Sequence, residues 1–134
     1  MKQALNILYW IIIAAAILFF AYSKGWIFAG FESITPKQAQ ALMQSEPGIT
    51  LLDVRTPEEY AQEHIDGAKL IPLQGLENSL AKLEHAQGKQ IIVYCHSGNR
   101  SVAASRILAK NGFIPVNMEG GITGWKSEGL DVVH

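Results

Sequence analysis

The segment QIIVYCHSGNRSVAASRIL carries the only cysteine of the 134-residue chain, Cys95, followed by His96, Ser97, Gly98, Asn99, Arg100 and Ser101. A single cysteine cannot form an intramolecular disulfide. It is either an inert small apolar side chain in a core or a nucleophile. The neighbours favour the nucleophile. Gln90–Tyr94 is a short β-branched run, six residues follow, and a helical pattern begins near Ser101. Cys95 is thereby placed at the carboxyl end of a strand, ahead of a helix start whose unpaired N–H groups and dipole favour negative charge. A tight loop containing Gly98 can turn its amides inward as an anion-binding nest. Arg100 adds a fixed positive charge and a planar donor fork. A sulfur anion cradled in that way is ready for nucleophilic attack.

The remaining reactive side chains suggest less. His64, His85, His96 and His134 show no zinc-ligand spacing with Cys95. His64 reads as a hydrogen-bonded structural residue, and His96 as a contributor of backbone rather than imidazole. Trp125 in GGITGW reads as core packing. Gly120 and Gly121 read as a tight turn near the site, and Glu119 could face the pocket.

A scaffold must hold the loop. Two helix starts, Thr35-Pro36-Lys37-Gln38 and Thr56-Pro57-Glu58-Glu59, each place Thr at N-cap, Pro at the first helical position and Gln or Glu at the third. Ile49–Val54 and Gln90–Tyr94 read as buried strands, with further strands at Ala68–Ile71 and Ile114–Met118. Pro115 argues for an edge or a bend in the last of these. Leu73, Leu76, Leu80 and Leu83 form one face of a helical stretch, and Ser101–Asn111 is a helix closed by Gly112. Strands alternating with helices predict an α/β fold with a mostly parallel central sheet flanked by helices. Ligands bind such sheets at the carboxyl ends of the strands, where Cys95 lies.

Ahead of this domain the composition changes. Residues 1–31 hold eight of the twelve aromatics and a charge of +2, whereas residues 32–134 carry −3, for a net −1. That balance excludes the basic footprint of a nucleic-acid binder. Ile7–Tyr22 contains no charge or amide. Extended back to Ala4, the run would span roughly 28 Å as a helix, close to a hydrocarbon core of about 30 Å. Tyr9 and Trp10 near one end, and Tyr22 and Trp26 at the other, suit two membrane interfaces. A cleaved signal peptide is the competing reading, with a cut after Ser23, but the run is long and its aromatics are large. The expected organisation is a transmembrane helix over 1–22, a juxtamembrane link over 23–33 and a globular domain over 34–134. Lys2 and Lys24 flank opposite sides, so charge barely orients the helix.

Residues 34–134 resemble a single-domain rhodanese, a sulfurtransferase module. The resemblance rests on ITPKQAQALM, LLDVRTPEEYAQEHIDGA, IPL, IVYCHSGNRS, GF and MEGGITGW, in that order. With the apolar segment ahead, the layout is similar to membrane-tethered bacterial members. The resemblance implies that Cys95 takes a sulfane sulfur from thiosulfate, a persulfide or a polysulfide and passes it to cyanide or a thiol. Residues 96–101 would stabilise the anions, and no metal or cofactor would be needed. Asp53 and Arg55 match family positions that read as structural ties around the site. The sequence departs from the family at Glu63, where Gly is common, and at Asp66, where Pro is usual.

Two rivals stand beside this. A cysteine phosphatase or arsenate reductase cradles an oxyanion with Cys-x5-Arg, but here only four residues separate Cys95 from Arg100, so the cradle suits one sulfur atom. A membrane-tethered docking module would use the same fold without catalysis, yet the loop is intact. With no second thiol in the chain, a persulfide would leave to an external acceptor or a partner protein, a membrane protein among the candidates. A reactive thiolate fits a reducing compartment, which places the domain on the cytoplasmic side of an inner membrane crossed once.

Overall fold

The structure is a computed structural model, and it describes residues 1–24 and 30–134. The first element, α1 (Lys2–Ser23), has no buried residue and is long and apolar enough to cross a membrane. Much of the link expected over 23–33, Trp26 included, lies outside the described residues.

The rest alternates strand and helix: β1 (Glu32–Ile34), α2 (Pro36–Ser45), β2 (Thr50–Asp53), α3 (Pro57–Gln62), β3 (Lys69–Leu70), β4 (Gln90–Tyr94), α4 (Asn99–Lys110), β5 (Ile114–Met118) and α5 (Gly121–Ser127). The sheet order is β1-β5-β4-β2-β3 and every pairing is parallel. This is the α/β architecture expected from the sequence. Both threonine signals become capping boxes. Thr35 Oγ1 accepts from the Gln38 N–H and Thr56 Oγ1 from the Glu59 N–H, with the Gln and Glu side chains returning to the cap amides.

Because side chains alternate along a strand, the sheet buries two cores. Leu52, Ile91, Val93 and Cys95 pack with Ala104 and Leu108 of α4 on one face. Leu51, Ile92, Tyr94 and Met118 pack with Ala39 of α2 and Ile122 and Trp125 of α5 on the other.

Four local features differ from expectation. β1 begins within the segment taken as a link, because pairing with β5 recruits residues that lack a strand pattern of their own. The leucine-lined stretch forms 3-10 turns, Leu73–Gly75 and Glu77–Ala86, not an α-helix. Leucines three apart align on a 3-10 turn as well as on an α-helix. The helix after the cysteine starts at Asn99, two residues early, because Gly98 turns the chain at φ 112°. Finally, β5 is interior to the sheet despite Pro115. β1 pairs only with Val116 and beyond, so at Pro115 the strand is locally an edge where a missing N–H is tolerated.

Candidate active site

β4 ends at Tyr94, and Cys95 follows on the sheet face covered by α4, 1% exposed. The Gly98 N–H donates to Cys95 Sγ at 3.1 Å, and the thiol reaches Ser101 Oγ at 3.5 Å. Ser101 is fully buried on the first turns of α4. The sulfur therefore faces an amide, a hydroxyl and a helix N-terminus, all of which favour negative charge on it.

A second helix holds the loop from behind. The Ile122 N–H of α5 donates to the Cys95 carbonyl at 2.8 Å and the Thr123 N–H to the His96 carbonyl at 3.1 Å. This approach requires glycine at 121. Its φ is +59°, and a Cβ would sit 2.4 Å from Cys95 O and 2.5 Å from His96 O. The tight turn read at Gly120–Gly121 thus clamps α5 onto the cysteine loop. The α5 helix itself had no sequence signal beyond these glycines and Trp125, which is buried and donates from Nε1 to Asp131 O at 2.8 Å.

Arg100 stands at the end of the loop, but its fork is engaged. Nη1 and Nη2 contact Glu59 Oε1 and Oε2 of α3 at 2.7 and 2.9 Å. The hydrogen bond from Arg100 is the main cause holding the Glu59 carboxyl down at about 2, with Thr56 and the Arg100 charge adding to it. Glu59 was visible in sequence only as a capping residue; 41 positions separate it from its partner.

Asp53 and Arg55 are both buried and form a bidentate pair, with Arg55 Nη2 also donating to the Glu63 carbonyl at 2.7 Å. Burial opposes the charge on Arg55, but Asp53 more than offsets it. Neither residue hydrogen-bonds the thiol. They tie β2 to the end of α3, on the sheet face opposite Cys95. Glu63 sits there in extended backbone and pairs with Lys126 of α5.

The other histidines lie apart from the sulfur. His64 stacks on Tyr60 at 3.8 Å and bonds its carbonyl, His85 meets Thr50, and His134 meets Gln62. Among the described residues no three His, Cys, Asp or Glu converge as a metal site.

Cavities open on both flanks of the loop. One of about 340 Å³ is lined by Val54, Arg55, Thr56, Pro72, Leu73 and Arg100, among others. The second, about 240 Å³, is lined by Lys24, Ser97, Gly98, Asn117, Glu119 and Gly120. Lys24, just past α1, donates from Nζ to Asn99 Oδ1 at 2.7 Å. Arg106 of α4 lies over the Tyr22 ring at 3.6 Å and donates to the Tyr22 carbonyl. The apolar helix therefore ends against the helix that follows the cysteine.

The family description "Rhodanese-like domain" matches residues 35–128. The chain belongs to the rhodanese-like family. A rhodanese-related protein from Thermoplasma volcanium superposes with a TM-score of 0.70 at 35% identity, over 77% of this chain and 98% of that one. A thiosulfate sulfurtransferase of Pseudomonas fluorescens is 33% identical over 98 residues, covering 72% of this chain and 86% of its own length. An uncharacterized protein of Synechocystis is 40% identical over 102 residues, 75% of this chain. This rhodanese-like chain spans 55% of that relative. Of these three, the Pseudomonas fluorescens protein is named as a sulfurtransferase.

Proposed function

We propose that this rhodanese-like protein is a sulfurtransferase working through a persulfide on Cys95. The observation that carries the reading is the Gly98 amide aimed at Sγ from 3.1 Å, at the carboxyl end of β4 and the start of α4. In the donor step the Cys95 thiolate attacks the outer sulfur of thiosulfate; the S–S bond breaks and sulfite leaves with its electron pair. In the acceptor step cyanide or a thiolate attacks the outer sulfur of the persulfide, and the Cys95 thiolate is released. Negative charge moves between Sγ and the outer sulfur, so backbone donors fixed before reaction stabilise it without reorganising. Gly98 supplies its amide and Ser101 adds a side-chain hydroxyl, while His96, Ser97 and Asn99 shape the loop. Arg100, paired to Glu59, braces it against α3. Asp53 and Arg55 position β2 beside it.

The domain over 34–134 would be held at the inner membrane by the helix over 1–22 and face the cytoplasm, where thiols stay reduced. Protease digestion of right-side-out and inverted vesicles reads the orientation; cleavage of the domain only in right-side-out vesicles would reverse it. For the activity, treatment with thiosulfate should add about 32 Da, one sulfur atom, at the persulfidated cysteine. Cys95→Ser should abolish both the label and sulfur transfer. Aryl-phosphate hydrolysis without sulfur transfer would overturn the reading in favour of a phosphatase.

A further inference from the structure

The cavity on the β5 side of the loop has an unbalanced set of polar groups. Asn117 on its floor is 2% exposed and donates from Nδ2 to Ser33 Oγ at 3.3 Å, but its Oδ1 has no partner. A buried carbonyl left in that state costs free energy unless something occupies the space beside it. Glu119, just past the end of β5, lines the same cavity and forms no ion pair among the described residues. Among the described residues that line this cavity the one cation is Lys24, whose ammonium has three donors. One of them is used on Asn99. Gly98, whose amide touches Sγ, forms part of the wall.

Two acceptors and one cation do not suit a dianion such as thiosulfate, which the Glu119 carboxylate would repel and to which the Asn117 carbonyl has no hydrogen to donate. They suit a zwitterion: an ammonium to Glu119 and Asn117, and a carboxylate to Lys24. At about 240 Å³ the cavity falls below the roughly 300–1,000 Å³ of pockets for drug-sized ligands, so a molecule of few heavy atoms fits. We infer that Lys24, Asn117 and Glu119 form the acceptor subsite for a small zwitterionic aminothiol, an amino acid bearing a thiol. The inference rests on the persulfide reading above and names the acceptor class for it. The acceptor thiolate attacks the outer sulfur of the Cys95 persulfide, forming a new S–S bond; the old S–S bond breaks and the Cys95 thiolate leaves. Lys24 lies at the end of the apolar helix, so the anchor contributes a binding residue to the site.

The test uses the full chain in detergent micelles, loaded with thiosulfate, desalted and mixed with one of three thiols. L-Cysteine carries both charges, cysteamine only the ammonium, and 3-mercaptopropionate only the carboxylate. Loss of the sulfur label from Cys95 is followed by mass spectrometry. Taking each thiol as a ratio of variant to wild type cancels its intrinsic reactivity. For partly exposed charge pairs an effect of about fivefold is expected. Lys24→Gln should slow L-cysteine and 3-mercaptopropionate by that factor relative to cysteamine. Glu119→Gln should slow L-cysteine and cysteamine relative to 3-mercaptopropionate. Equal factors for all three thiols, or no change, would overturn the subsite while leaving the persulfide reading intact. Failure of the wild-type protein to load sulfur would overturn both.

Discussion

Substituting Gly121 by Ala strikes the contact that holds the cysteine loop from behind. The new Cβ would lie 2.4 Å from Cys95 O and 2.5 Å from the carbonyl carbon and oxygen of His96, all backbone atoms that cannot rotate away. Holding Ala at φ +59° costs about 1–2 kcal/mol. Relief of the overlap requires α5 to retreat, which weakens the Ile122 and Thr123 amide bonds to the loop, each worth about 1 kcal/mol. Together the loss is about 3–4 kcal/mol, a large part of the roughly 5–15 kcal/mol that stabilises a typical domain. For a domain of this size the melting temperature should fall by roughly 15–30 °C. Gly112→Ala is the internal control. Its φ is +85° but a Cβ there meets nothing within 4 Å, so only backbone strain remains, about 1–2 kcal/mol and roughly 4–16 °C. Circular dichroism melts of both variants in the same detergent provide the comparison. If Gly121→Ala melts within a few degrees of Gly112→Ala, α5 does not clamp the loop.

Other outcomes follow from the ion pairs. Glu59, with a carboxyl at about 2 in place of 4.5, stabilises the fold fully above about pH 4.5 and loses that contribution as pH falls towards 2. The unscreened equivalent is about 3 kcal/mol, but both side chains are about a third exposed, so Glu59→Gln should cost about 1–2 kcal/mol at pH 7. Urea melts should show wild type and variant converging as pH drops to 3 and below; a gap independent of pH would refute the pairing. Asp53→Asn leaves Arg55 buried without its counter-charge and should cost about 3–5 kcal/mol. The double variant Asp53→Asn/Arg55→Met should recover a substantial part of that loss in the same melts, and no recovery would count against an uncompensated charge as the cause.

Much of the scaffold was legible because its signals are local. The two capping boxes need only four consecutive residues each, and β2 and β4 announce themselves as short apolar runs between polar ones. Where the structure departs, the deciding contact is distant. Glu32-Ser33-Ile34 contains one apolar residue, and its strand exists because β5 offers an unpaired edge from Val116 onwards. The leucines at 73, 76, 80 and 83 were read as one face of a helical stretch; that face packs on the core, with Leu76 and Leu83 fully buried. The pairs 73/76 and 80/83, three apart, align on either helix type, and the 3-10 geometry shows in bonds such as Leu76 N–H to Leu73 O and Ser79 N–H to Leu76 O.

The site shows the same division more sharply. Cys95, Gly98 and the start of α4 were apparent from one segment, but the electrostatics expected there were not. Arg100 reads in sequence as a free cation beside the sulfur; folded, both of its terminal nitrogens are committed to Glu59. In the persulfide reading proposed above, the sulfur is met directly by neutral groups, the Gly98 amide, the Ser101 hydroxyl and the α4 terminus. Such groups must be placed by backbone. That explains why glycines govern the loop: Gly98 turns its amide onto Sγ at φ 112°, and Gly121 lets α5 approach the Cys95 and His96 carbonyls. A cation that lines the cavity beside Gly98 is instead Lys24, far away in sequence and at the end of an apolar helix. If that helix lies in a bilayer, the cavity opens close to the membrane surface, and attachment and acceptor recognition depend on the same stretch of chain.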